Sequence, residues 1–532
     1  MTVARRSAVL LGVAIVSLAL RVGAQQPDRA VFLVRLGNDT LAAEIVTIGN
    51  GRAEGDLRLR TPLLRVRRVL ELSPTFELQR LDFTTSYGPS GDSAMSRSVI
   101  TVRGDTADFR REMTAGTTPS QVRSFGLPRG TVSFVNLSGL TLELVLRRAR
   151  AVGTDTVTIP LFGGIGKTQS ALVTRADPDS AVITLDGVSI RARSDAGGRL
   201  LGAVVPSQGV YFDRVAIDSP GARWAPAVVT YDAPPGAPYV AEAVTVHTPA
   251  YITLAGTLTI PEHHAGVRLP AVVLITGSGQ QDRDEALPTY SNSFRPFREI
   301  ADTLSRRGIA MLRLDDRGVG GSSQGPLTAT SADFADDIRA ALAWLRTRAD
   351  IDPARLGLVG HSEGGMIAPM IAVTDQALRA MVLVAAPAKT GQAILSYQRR
   401  YAIEHMPSIP MAKRDSVFAE SEKELRVASA APGWINFFMT YDPLVAARRV
   451  RTPTLVLQGE TDTQVTPEQA GTLAAAMRDG GNRHVTVRTF PRMNHLMLDD
   501  PSGDAGGYGK LPSYAVRRDF LGVLADWLAS NM

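Results

Sequence analysis

The segment Val359-Gly360-His361-Ser362-Glu363-Gly364-Gly365 sets a serine between two glycines, each two residues away. Alone, a G-x-S-x-G pentapeptide is a weak signal, because both residue types are common. This copy follows the apolar run 356–359 and precedes a helix-compatible run, 365–373. Such a strand–turn–helix setting presents a hydroxyl on a tight turn at the carboxyl edge of a sheet. A serine hydroxyl is a poor nucleophile near neutral pH and needs a base, itself oriented by a carboxylate. With this kind of turn the partners follow in the order acid, then histidine. The chain has 7 histidines, at 247, 263, 264, 361, 405, 484 and 495. His495 directly follows the last predicted strand, 484–489, and is the expected base for Ser362. His361 adjoins the nucleophile but is expected to point away from it. His263 and His264 fall in a polar loop, His405 in a helical insertion, and His484 at the start of a strand. The acid should leave the preceding strand, 454–457, whose following loop holds Glu460 and Asp462. Asp462 lies deeper in the loop and is preferred, with Glu460 as a solvated turn carboxylate.

A tetrahedral oxyanion needs two pre-aimed backbone N–H donors. The N–H of Glu363, just after the nucleophile, is one. The other is expected from the loop Gly277-Ser278-Gly279-Gln280, at Ser278. Glycines there let backbone approach a substrate, although a plain turn would also use them.

These side chains require a rigid scaffold, and the second half of the sequence supplies its pattern. After a hairpin-like pair of runs at 242–247 and 253–260, five apolar runs recur at 271–276, 309–314, 356–359, 380–385 and 454–457. None alternates, and helical stretches separate most of them. Residues 333–347 carry Phe334, Ile338, Leu342 and Leu345 on one face, with Thr330 and Asp333 as a capping box. Non-alternating strands spaced by amphipathic helices predict a mostly parallel sheet covered by helices on both faces. A strand at 484–489 and a helix at 514–528 close the chain. From 389 to 441 the sheet pattern lapses into a helical, cap-like insertion ending in Trp434, Phe437 and Phe438. These aromatics are expected either to line a substrate pocket or to pack as core.

In order, Thr253-Leu-Ala-Gly-Thr-Leu-Thr-Ile-Pro261, Gly277-Ser-Gly-Gln-Gln-Asp-Arg-Asp284, Asp315-Asp-Arg-Gly-Val-Gly-Gly-Ser322, Gly360-His-Ser-Glu-Gly-Gly365, Gly459-Glu-Thr-Asp462 and Asn494-His495 carry a family resemblance. Residues from about 240 to 532 resemble the α/β-hydrolase superfamily. More narrowly, they are similar to bacterial exported serine esterases related to dienelactone hydrolases and to the prolyl-oligopeptidase catalytic domain. The resemblance implies a Ser362–Asp462–His495 triad and a structural turn at Asp316-Arg317-Gly318 whose Arg and Asp tie neighbouring loops. Two departures stand out. Family members often carry His where this chain has Thr276, and a dienelactone hydrolase proper uses Cys where this chain has Ser362.

Residues 27–222 match no nameable family and read as β-rich. Runs such as 98–103, 141–146 and 181–185 look like short strands, with Asn50-Gly51 and Asp186-Gly187 as hairpin turns. An antiparallel sandwich or half-barrel is expected. Gly163-Gly-Ile-Gly-Lys-Thr168 lacks the first glycine of a phosphate loop, because Leu161 stands there, and reads as an ordinary turn. Asp232-Ala-Pro-Pro-Gly-Ala-Pro238 is the clearest linker. At the amino end, Arg5-Arg6, an apolar run 8–20 and Val22-Gly23-Ala24 read as a signal peptide cleaved near Ala24. The run is too short to span a bilayer, and no later segment is long and apolar enough. The expected division is therefore a signal peptide at 1–24, an antiparallel β-rich domain at 25–231, a linker at 232–238 and an α/β-hydrolase domain at 239–532.

Composition narrows the function classes. With 0 cysteines among 532 residues, disulfides, thiolate nucleophiles and Cys-built metal sites are excluded. The net charge of +6 includes Arg5, Arg6 and Arg21 of the leader, and the remaining basic residues are interleaved with acids. Nucleic acid is thus not an expected partner. The sequence points to an exported serine hydrolase cleaving small-molecule carboxylic esters, without metal or organic cofactor. A serine peptidase of the prolyl-oligopeptidase type and a non-catalytic envelope-binding protein are the alternatives, and the oligomeric state is left open.

Overall fold

The computed structural model describes residues 27–532 except 37–38, 61–63, 88–92, 114–120, 164–167, 186, 221–223, 225–228, 288–289, 292, 324, 327, 407–408 and 431–432. The expected leader and most of the Gly-rich segment at 163–168 lie outside the described residues.

Residues Asp28 to Val215 form one sheet, with 15 strands among the described residues. Neighbours in sequence pair antiparallel almost throughout, and the first strand closes against the last. Asn50-Gly51 makes the second hairpin turn, with both residues at positive φ (53° and 70°). The arrangement is a single sheet packed on a helix, not a two-sheet sandwich. Helix α1 (Gly139–Val152) contains 141–146, which the local alternation suggests as a strand. Tertiary burial overrides that alternation. Leu140, Leu142, Leu144, Val145 and Leu146 are all buried, so the helix shows no polar stripe to betray its period. Its ends are well marked: Ser138 Oγ accepts from Thr141 N–H, and Gly153 caps the carboxyl end at φ 84°. Glu44, from the sheet, accepts from Leu140 N–H and Ser138 Oγ and pairs with the buried Arg68 at 2.8 Å. An anion at a helix amino terminus is favoured by the macrodipole, and the Arg68 partner relieves the cost of burying it.

The second unit starts with β1 (Tyr239–His247) and β2 (Thr253–Pro261), an antiparallel hairpin. It continues through β3 (Leu269–Ile275), β4 (Ala310–Leu314), β5 (Ile351–His361), β6 (Ala380–Val384), β7 (Thr454–Gly459) and β8 (Val485–Phe490). The order across the sheet is β1-β2-β4-β3-β5-β6-β7-β8, and every pairing from β4 onward is parallel. Alternate residues of each central strand enter two different cores. In β3, Ala271, Val273 and Ile275 enter the core shared with α3 (Ser331–Arg346), α4 (Glu363–Ala372) and α9 (Glu468–Asp479). Val272 and Leu274 meet α2 (Pro296–Ser305) and α10 (Arg518–Asn531). Two apolar faces explain why these strands read as continuous apolar runs. The Thr330/Asp333 capping box is present at the start of α3. Helices α5 (Gly391–His405), α6 (Arg414–Ser429), α7 (Trp434–Thr440) and the short α8 (Pro443–Ala447) stand between β6 and β7.

Between the two sheets, the chain is tied down at its start. Arg298 donates to the carbonyls of Thr230 and Asp232, both at 3.0 Å, and the Arg283 guanidinium lies 4.2 Å over the Tyr231 ring. Exposed linker backbone is left at Pro235, Gly236 and Pro238. Limited proteolysis should therefore nick within 235–238 and release a 239–532 fragment that keeps Ser362, Asp462 and His495. If no refolded fragment hydrolyses a substrate that the whole chain hydrolyses, the β-rich unit belongs to the catalytic unit.

Candidate active site

Ser362 sits between β5 and α4 at φ 52° and ψ −117°, a conformation that L-residues adopt only under constraint. Close backbone approach imposes that constraint. A Cβ at Gly360 would lie 2.2 Å from the Gly364 carbonyl oxygen, and one at Gly364 would lie 2.2 Å from that of Ile275. Ser362 N–H donates to Val384 O at 2.9 Å, which pins the turn to β6. As the first residue of α4, Glu363 has a backbone N–H without an intrahelical acceptor.

The loops after β7 and β8 bring two further groups to this serine. His495 Nε2 lies 3.1 Å from Ser362 Oγ, and His495 Nδ1 lies 2.8 Å from Asp462 Oδ2. Ser362, His495 and Asp462 thus form one hydrogen-bonded line although up to 133 residues separate them. Asp462 is buried and its remaining positions are filled. Oδ1 accepts from Gln464 and Val465 N–H, and Oδ2 also accepts from Gln458 Nε2. Glu460 is exposed and accepts from Thr489 Oγ1, away from the histidine. Asn494 shapes the His495 loop by accepting from Leu496 and Leu498 N–H.

The loop after β3 borders Ser362 on the other side, and the buried Glu285 and the half-buried Asp316 hold it. Gly277 N–H donates to Glu285 Oε1 at 2.6 Å, while Thr276 Oγ1 and Gln281 N–H both donate to Asp316. Thr276 therefore ties this loop to the turn after β4. Burial pushes the Asp316 carboxyl far above the usual carboxylate range, with the nearby Glu285 and Glu363 adding to the effect. In the same turn, Asp315 receives a two-pronged bond from Arg283, and Arg317 pairs with Asp337 of α3 at 2.6 and 2.8 Å. Ser278 is thereby held beside Ser362, and its N–H has no protein acceptor among the described residues.

A cavity of about 250 Å³ opens over Ser362, lined by Ser278, Glu363 and His495 among others. Ile394 and Gln398 of α5 and Trp434 and Phe438 of α7 roof it. Trp434 Nε1 donates to the Glu363 carboxyl, which also accepts from Ser331 Oγ and which burial pushes upward in pKa. The tryptophan thus anchors the helical insertion to the turn that carries Ser362. Phe437 does not line the cavity. One residue earlier than Phe438 on α7, it faces elsewhere and stacks on Tyr441 at 5.3 Å between centroids. Among the described residues, no lysine or arginine lines the cavity.

A family described as "Serine aminopeptidase, S33" matches residues 289–502. Esterase EstD of Thermotoga maritima is 28% identical over 254 residues, which cover 46% of this chain and 58% of that protein. The chain is a member of the α/β-hydrolase superfamily. The chain is also 27% identical over 221 residues to the uncharacterized peptidase YuxL of Bacillus subtilis, covering 39% of this chain and 28% of that one. It spans little more than half the length of EstD and less of YuxL. Among solved structures, the Pyrococcus furiosus esterase Pf2001 aligns at 15% identity with a TM-score of 0.41, covering 57% of this chain and 96% of that one.

Two residues of the candidate site depart from the sequence expectation or escape it. His361 does not point away: it lies buried beside His495, with ring centroids 5.0 Å apart, and its Nε2 meets the His495 carbonyl oxygen at 2.9 Å. The tight turn moves Ser362 outward, whereas the preceding residue still belongs to β5 and tucks under the neighbouring loop. Its other partner, Glu285, belongs to no motif. The only sequence signal for it is an unusually acidic stretch, Asp282-Arg283-Asp284-Glu285, directly after a Gly-rich loop.

Proposed function

We propose that this chain is an exported serine hydrolase that cleaves carboxylic esters through an acyl-enzyme. The observation that carries the reading is the line Ser362 Oγ–His495 Nε2 and His495 Nδ1–Asp462 Oδ2, at 3.1 and 2.8 Å. In this mechanism Ser362 Oγ attacks the ester carbonyl carbon while His495 Nε2 takes its proton, and Asp462 keeps Nδ1 protonated and the ring aimed. The carbonyl oxygen becomes an oxyanion, held by the N–H groups of Ser278 and Glu363. Collapse breaks the bond to the alkoxide, which leaves with the proton from His495. Water, deprotonated by His495, then attacks the acyl-Ser362 ester and releases the acid.

Several features favour esters of small acids. The cavity of about 250 Å³ lies at the lower end of ligand-site sizes and is far too small for a folded chain. Trp434, Phe438, Ile394 and Leu395 offer apolar surface to an acyl group. The esterase relative points the same way. The family description and the YuxL relative supply the competing peptidase reading. A peptidase that trims amino termini must anchor an ammonium, yet of the two carboxylates lining the cavity Glu363 is engaged by Ser331 and Trp434, and Glu285 meets Gly277 and His361 through Oε1 while its Oε2 is buried. A panel of p-nitrophenyl esters of rising acyl length, beside aminoacyl-anilides, separates the two. Short acyl esters should be turned over at least ~100-fold more efficiently in kcat/KM, a gap of about 2.7 kcal/mol in transition-state stabilisation. Equal efficiency on both classes would promote the peptidase reading. Export rests on the pattern of residues 1–24 alone, and fractionation of cells expressing the whole chain, with the amino terminus of the product sequenced, tests it.

A further inference from the structure

The acyl-enzyme mechanism leaves two buried titratable groups beside the site without a task, Glu285 and His361. Glu285 Oε1 accepts from Gly277 N–H at 2.6 Å and lies 2.9 Å from His361 Nδ1, while His361 Nε2 lies 2.9 Å from the His495 carbonyl oxygen. Both groups facing the imidazole are acceptors, and a neutral imidazole has a single N–H to give. A neutral ring would therefore set one lone pair against another. A proton placed on Oε1 instead would leave Gly277 N–H facing a hydroxyl oxygen, a poorer acceptor than the carboxylate that its short contact fits. The contacts close together only with His361 as an imidazolium and Glu285 as its counter-charge.

We propose that Glu285 and His361 form a charged clasp that locks the oxyanion loop to the loop carrying His495. Both are positioning residues for ester hydrolysis, a role that rests on the acyl-enzyme reading above. One end of the clasp is Gly277, next to Ser278; the other is the backbone of His495 itself. Burial works against charge on His361, but Glu285 and the His495 carbonyl outweigh it and favour the charged ring, with Asp462 contributing. The groups facing the pair are Gly277 and Asp316 from the loops after β3 and β4, Asp462 from the loop after β7, and His495 from the loop after β8. The backbone supports a dedicated placement. Glu285 is held at φ 53°, in the left-handed region, by a turn in which Asp282 accepts from Asp284, Glu285 and Ala286 N–H. A strained non-glycine residue persists only where its surroundings over-determine it. Its second oxygen, Oε2, is buried without a partner, so Oε1 carries both bonds.

The test is Glu285→Gln, which keeps the shape and removes the charge. In the full chain labelled with ¹⁵N-histidine and assigned through His361→Gln, the His361 ring should be doubly protonated at pH 7.5, and neutral in Glu285→Gln. A neutral His361 in the wild type, or a ring unchanged by the substitution, would overturn the clasp. On p-nitrophenyl acetate, Glu285→Gln should lower kcat about 10-fold with KM within about twofold, as expected when transition-state alignment is lost and ground-state binding is kept. Glu460→Gln, at the exposed carboxylate, should leave both constants unchanged. An unchanged kcat in Glu285→Gln would refute the positioning role whatever the spectrum shows. If the wild type turns over no ester at all, the functional reading fails, while the spectrum still decides the clasp.

Discussion

Ser362→Ala is expected to abolish ester turnover, by roughly 10⁴- to 10⁶-fold in kcat, and to remove labelling by a fluorophosphonate probe. The size of the effect follows from chemistry that no neighbouring group can replace. The Ser278 hydroxyl, which also lines the cavity, is directed to the Glu363 carboxyl. Water attacking directly would have to do without the acyl-enzyme, although the two N–H donors would persist and keep a residual rate. Removal of one hydroxyl at a turn held by Gly360, Gly364 and the Val384 carbonyl leaves those contacts intact, so the melting temperature should scarcely change. Undiminished labelling of the variant would refute the nucleophile.

The second large effect is expected from Asp462→Asn, about 10³- to 10⁴-fold in kcat with an unchanged fold. The carboxylate accepts on all sides: from Gln464 and Val465 N–H on Oδ1, and from His495 Nδ1 and Gln458 Nε2 on Oδ2. An asparagine that keeps its oxygen toward the two backbone N–H groups must turn its NH₂ toward His495 Nδ1. That nitrogen then has to accept, which moves the ring proton to Nε2, where it faces Ser362 and cannot take the hydroxyl proton. Glu460→Gln serves as the contrast, since Glu460 bonds Thr489 Oγ1 and stands away from the histidine. A loss in Asp462→Asn no larger than in Glu460→Gln would mean that the acid lies elsewhere.

Much of the second unit is legible in the sequence because its signals are local. Non-alternating apolar runs mark strands buried on both faces, and the Thr330/Asp333 box marks a helix start. Gly360 and Gly364 mark a turn too tight for side chains. Depth in the loop favours Asp462 over Glu460 and the place after the last strand favours His495 among the histidines, and the fold brings both residues to Ser362. Of the aromatics at the end of the insertion, Trp434 and Phe438 reach the cavity and Phe437 does not, a distinction set by rotation about α7.

The tertiary structure decided the relations between segments that share no local period. The stretch 141–146 alternates like a strand yet is helical, because the first two turns of this helix are buried all round and show no amphipathic stripe. Whether the β-rich unit is one sheet or two depends on pairings between distant strands, which short-range composition does not encode. His361 and Glu285 lie 76 residues apart, and neither has a pattern that announces the other. Their meeting follows from the parallel neighbours β3 and β5, which bring the loop after one strand to the end of the other. Sequence by itself determined the candidate residues Ser362, Asp462 and His495 and the order of the elements that carry them. Burial and strand adjacency alone decided which charges stand behind those residues, because desolvation and pairing arise only when the chain has closed around them.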